Sequence, residues 1–249
     1  MGQNTKKFWN IWDKFGVFII LAVVVIIFAA LDPKTVHSAQ LLTLFSRTAT
    51  TGIAAVGMMF AITGGGFDLS IGSIISLTSC VIGVNMVNGM NPYLAMVLGL
   101  FVAAICGLIN GLVITKLKIQ TFVATLATQL AFSGIALVYT NGKNILIKSD
   151  VNKELKNLVT GRLFGIVSWQ IVLLLISFIV GYIIYKNTSF GVKVRAIGSN
   201  EAAARTTGIN VDNTLIMIFV TTAITAGIAS ILTTARLSTA NPTIGVGFE

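Results

Sequence analysis

One carboxylate in this sequence stands where a carboxylate is costly. Asp68 follows Gly64, Gly65, Gly66 and Phe67 and precedes Leu69-Ser70-Ile71-Gly72-Ser73. Long apolar runs lie on both sides, with no basic residue near it. Three consecutive glycines end a helix, since each costs about 1 kcal/mol against alanine. An ionisable group at membrane depth is held by an aqueous cavity or by a partner. Two roles suit this one. Asp68 or Ser70 can N-cap the helix that follows, satisfying amides its first turn leaves unpaired. Alternatively, Gly64, Gly65, Gly66, Phe67, Asp68 and Ser70 line a polar route, because non-helical backbone at depth is tolerated where it lines a cavity. The two roles are compatible.

A second segment breaks the apolar pattern between residues 186 and 212. Asn200 is a good N-cap, Glu201 suits the positive end of a helix, three alanines follow, and Gly208 supplies the stop. These signals predict a helix of about two turns, with Asp212 placed to cap the next apolar run. Isolated helices this short do not hold in water. Its alanine face is too small to anchor in lipid headgroups, so a groove on another protein is the better partner.

The elements that position these segments are set by composition. Hydrophobic residues make up 55% of the 249 and charged residues 10%, with a mean hydropathy of +0.91. A soluble globule carries about 25% charged residues, so lipid is part of the solvent. Crossing the hydrocarbon takes about 20 apolar residues. Seven runs meet or approach that length: 15–31, 49–63, 69–88, 93–115, 121–140, 166–185 and 214–235. The predicted fold is therefore an all-α polytopic bundle of about seven spans, a single transmembrane domain over 1–249. The first run is too long for a signal peptide and has no small-residue cleavage site after it, so it reads as a retained anchor. The net charge of +9 sits in the short gaps between runs, where basic residues set orientation. Nucleic acid is excluded as a partner. With the N-terminus inside, the basic residues divide almost evenly between the two sides, and charge near the first span favours that orientation.

Gly99, Ala103, Gly107 and Gly111 recur every four residues and predict close helix packing, as do Ala226, Ser230 and Thr234. Cys80 and Cys106 lie in apolar runs and read as small core residues. His37 reads as a solvated loop residue. In the loop 141–165, Val151, Leu155, Leu158 and Val159 fall at helical spacing opposite Lys153 and Lys156, predicting a short amphipathic segment on the outer surface.

The runs GGGFDLSIGSIISL, FGVKVRAIGSNEAAARTTGINVD and TARLSTANPTIGVGFE resemble the membrane permease subunits of bacterial ATP-binding-cassette sugar importers, the ribose permease group. The resemblance covers the chain from about residue 15 onward. It implies a subunit that passes a monosaccharide such as ribose across the cell membrane and pairs with a second permease. It also implies cytoplasmic ATP-binding subunits and an extracytoplasmic sugar-binding protein. The loop around Gly198, Asn200, Glu201, Ala202, Ala203 and Gly208 is implied to dock on the ATPase, which puts it and the N-terminus in the cytoplasm. Two departures stand out. Phe67 replaces a smaller aliphatic residue, and relatives continue past the equivalent of Glu249, so the chain reads as C-terminally incomplete.

No catalytic constellation, metal-ligand cluster or cofactor motif is present, and there is no phosphate-cradling loop for ATP. The chain reads as a transport subunit, not an enzyme. The competing class is an ion-coupled secondary transporter or channel. Such proteins carry paired intramembrane ionisable groups, and Asp68 has no basic partner in the sequence around it.

Overall fold

The computed structural model describes residues 3–148, 153, 156, 157, 159, 161–163 and 167–249. Val151, Leu155 and Leu158 of the expected amphipathic segment lie outside them. Nine helices carry the described chain: α1 (Gln3–Leu31), α2 (Ser38–Thr63), α3 (Ile71–Val87), α4 (Pro92–Lys116), α5 (Thr121–Thr140), α6 (Trp169–Asn187), α7 (Ser189–Ser199), α8 (Glu201–Thr206) and α9 (Val211–Leu237). Among the described residues strand is limited to two-residue pairs. β1 (Ile145–Leu146) runs antiparallel to β4 (Thr239–Ala240), and β2 (Arg162–Leu163) to β3 (Val167–Ser168).

Among the described residues, six helices are long and apolar enough to cross a membrane. The remaining expected span, the run 69–88, is α3, an apolar helix of 17 residues. It is enclosed by protein along almost its whole length, from Ile71 to Gly83 and again at Met86. α1 and α2 begin well before their apolar runs. An apolar run measures what lipid will accept, whereas backbone hydrogen bonding continues through the polar residues ahead of it until a stop signal intervenes.

The chain groups into two units, 1–45 and 46–249. In the first, α1 presents its apolar side chains from Val17 to Leu31 outward. It ends before a 3-10 turn, Pro33–Val36, whose N-cap Asp32 accepts from the Lys34 amide at 3.0 Å.

In the second unit, α3 is surrounded by α4, α5 and α9. The predicted small-residue stripe is the packing surface of α4. A Cβ at Gly99 would press on Ile82 of α3, one at Gly107 on Ala223 and Val220 of α9, and one at Gly111 on Ile216. Ser230 of α9 donates to the Ile75 carbonyl and Thr234 to Ser79 Oγ, each at 2.7 Å. Residues 241–249 fold back along α3. The Gly245 amide donates to Ser76 Oγ at 3.0 Å, and a side chain at Gly72 would overlap the Gly245 carbonyl. Cys80 and Cys106 are buried in the same core, unpaired with each other.

Candidate functional site

The glycine run terminates α2 in a left-handed cap. Gly65 has φ +87, which a glycine adopts without the steric cost of a Cβ. The Gly66 amide reaches back to the Ala61 carbonyl at 2.9 Å and the Gly65 amide to Ile62 at 3.1 Å, the paired bonds of a Schellman motif. The chain then passes α5. The Leu69 amide donates to Thr125 Oγ1 at 3.2 Å, and that hydroxyl lies 3.1 Å from the Phe67 carbonyl.

Asp68 turns inward and is 0% exposed. Its Oδ1 accepts from the Ser70 amide at 3.0 Å and from Ser70 Oγ at 2.6 Å. Ser70 Oγ in turn accepts from Asn110 Nδ2 of α4 at 2.7 Å. Ser70 occupies the N-cap position of α3, but its side chain makes no capping bond to the helix amides. The carboxylate instead closes a turn two residues long at the entrance of α3. Asp68 Oδ2 and Asn110 Oδ1 are buried and have no hydrogen-bond partner among the described residues. Of the six residues assigned to the route, Gly64, Gly66, Asp68 and Ser70 are buried, whereas Gly65 and Phe67 are open.

The second segment is two helices. α7 forms although Gly191 and Gly198 lower its helix propensity, so the sequence alone predicts only the shorter helix after Asn200. Thr188 caps it, accepting from the Gly191 amide at 3.2 Å. α8 is six residues long, shorter than predicted; Asn200 Oδ1 accepts from the Ala203 amide at 3.0 Å, and Gly208, at φ +84, ends the segment. Glu201, Ala202 and Ala203 face outward, while Ala204 packs with Ile197 and Val211.

The cap expected from Asp212 is corrected. Asn210 caps α9, accepting from the Asn213 amide at 3.0 Å. Asp212 is drawn instead to Arg205, whose Nη2 lies 2.8 Å from Asp212 Oδ1 and 2.9 Å from Glu201 Oε1. These two acids, Asp212 first, hold the Arg205 guanidinium above its ordinary range. The result is a small ion network that ties α8 to the first turn of α9. Arg205 was not singled out in the sequence, although its spacing of four from Glu201 was a usable signal.

The two segments meet. Gly64, Gly65, Lys118, Gln120, Thr121, Glu201, Arg205 and Asp212 share the walls of one open cleft of about 790 Å³. Gly198 lies directly on the end of α2, where a Cβ would overlap the Thr63 carbonyl oxygen. The site offers bracing, a cleft and an outward helix face. Among the described residues no group of three or more metal-ligating side chains comes together.

Known transport permeases are similar to this chain over almost its whole length. The ribose import permease protein of Bacillus subtilis (strain 168) is 37% identical, over 99% of this chain and 76% of that protein. The D-allose transport system permease protein of Escherichia coli (strain K12) is 32% identical over 99% of this chain and 76% of its own length. The L-arabinose transport system permease protein of the same strain is 34% identical over 99% and 74%. No solved structure matches the chain significantly. The family described as branched-chain amino acid transport system / permease component matches residues 40–249, and with its bundle of apolar helices the chain belongs to that family.

Proposed function

We propose that the chain is the membrane-spanning permease subunit of an ATP-binding-cassette importer and forms the passage for a monosaccharide such as ribose. The observation that carries this reading is its likeness, over 99% of this chain, to permeases named for ribose, allose and arabinose. The geometry is compatible. A buried polar brace sits at the entrance of α3, and a short outward helix lies one cleft away from it.

In this reading Gly65 and Phe67 face the passage, while Asp68 and Ser70 hold the turn that presents them. α8 docks on a cytoplasmic ATP-binding subunit through Glu201, Ala202 and Ala203, with Asn200 and Gly208 fixing its ends. Gly198 belongs to the same coupling segment. ATP-driven movement of the partner would shift this segment and switch access between the two sides. A second permease subunit completes the passage, and an extracytoplasmic binding protein delivers the sugar. The cell membrane holds the complex, N-terminus in the cytoplasm.

The test is reconstitution in proteoliposomes with an ATP-binding subunit and a sugar-binding protein. Uptake of labelled ribose, allose, arabinose and leucine is then measured with and without ATP. ATP-dependent uptake of a monosaccharide is expected. Uptake of leucine alone, or sugar uptake driven by an ion gradient without the ATPase, would overturn the reading.

A further inference from the structure

The coupling segment and the glycine turn touch backbone to backbone. Gly198, in the last turn of α7, has no room for a Cβ, because the Thr63 carbonyl oxygen and carbon of α2 occupy that space. The contact is mutual: a Cβ built on Gly65 would lie 3.8 Å from the Gly198 Cα. Three residues after Gly198 the chain enters α8, whose Arg205 is bound at 2.8 Å to Asp212 of α9. Three residues after Gly65 it reaches Asp68, which is bound through Ser70 to Asn110 of α4.

We infer that the Gly198–Thr63 backbone contact is the junction through which displacement of α8 reaches the glycine turn and the Asp68 brace. A contact between side chains absorbs displacement by changing rotamers. Here neither side has a rotamer to change, and packed protein compresses little. Gly198 is thus a positioning residue that acts through the turn. Its task differs from that of Ala202 and Ala203, which face outward to a partner. The inference rests on the proposed coupling to an ATP-binding subunit.

Two measurements on the reconstituted complex test it. In Gly198→Ala the side chains that α8 turns outward, Glu201, Ala202 and Ala203, are unchanged, and the comparison is made on complex that retains the ATP-binding subunit and hydrolyses ATP. Sugar taken up per ATP hydrolysed should fall by about tenfold, within the usual range of coupling between sites. In the otherwise wild-type complex, spin labels at Ile62→Cys and Thr206→Cys, both exposed positions, report the interval across the junction. The buried Cys80 and Cys106 are shielded from the label. That interval should stay constant to within about 2 Å, the scale of a helix shift, between nucleotide-free and ATP-trapped states. Meanwhile the interval from Thr206→Cys to Leu94→Cys at the far end of α4 should change. A Gly198→Ala complex with normal coupling, or an Ile62–Thr206 interval that opens during a coupled cycle, overturns the junction and leaves the permease reading intact. Failure of the wild-type chain to bind or stimulate any ATP-binding subunit overturns that reading instead.

Discussion

Two polar clusters in this molecule are built on opposite terms. Around Asp68 a carboxylate, a hydroxyl and an amide are sealed within the bundle, joined by bonds of 2.6 and 2.7 Å. Around Arg205 a guanidinium and two carboxylates stand in the open, with about half of the Arg205 and Glu201 side chains exposed. The buried cluster is shut off from bulk solvent, so each deletion strands a polar group. In the open cluster water and salt take over at once. The buried cluster therefore fixes a backbone path, and the open one only biases the orientation of α8 against α9. In the proposed function the first would keep the shape of the glycine turn and the second would leave α8 free to shift.

The contrast predicts a graded series in the stability of the folded chain. Ser70→Ala should have the largest effect. It removes the acceptor of Asn110 Nδ2 and one donor to Asp68, and stranding buried polar groups costs about 1–3 kcal/mol each. The thermal midpoint of the purified chain in detergent should drop by several degrees. An unchanged midpoint would show that the cluster does not brace α3.

Asp68→Asn comes next. The amide oxygen can still accept from Ser70, so the chain should insert and fold at a cost of about 1–2 kcal/mol, the difference between a charged and a neutral acceptor. Sugar uptake by the reconstituted complex should fall. Wild-type uptake would leave closure of the turn as the whole role of Asp68.

Ala203→Asp sharpens the comparison from the other side. Ala203 is exposed in the chain, so the thermal midpoint should hardly move. If α8 enters a groove on an ATP-binding subunit, the new charge is buried unpaired there and costs several kcal/mol, about 3–5 by the measure of broken buried pairs. Co-purification with that subunit is the readout. Retention at wild-type levels, with normal uptake, would remove α8 from the interface.

Arg205→Gln should have the smallest effect. The exposed bridges to Glu201 and Asp212 stand in water, where such pairs contribute little at physiological salt. Stability and uptake should match the wild type there and differ only at low ionic strength. A loss as large as that of Ser70→Ala would erase the distinction between the two clusters.

The parts legible in the sequence are those decided within a turn or two of chain. The apolar runs located the spans, and α5 ends at the predicted 140 because the left-handed Asn141 closes it locally, its amide bonding back to Leu137 and Val138. The glycines ended α2, while Asn200 and Gly208 bounded α8, through bonds that reach no further than five residues. The motifs also carried the family, since they are contiguous stretches. What tertiary structure decided was the partner of each polar group. Asn110 meets Ser70 across 40 residues and Thr125 meets the turn across 56, distances over which packing angles, not local propensity, choose the neighbour. Asp212 is a sound cap by type, yet Asn210 took that place and the nearby cation of Arg205 drew Asp212 away. Gly198 could be read in the sequence only as part of a loop. That it rests on the carbonyl of Thr63 follows from how α7 returns to the end of α2, which no short-range rule contains.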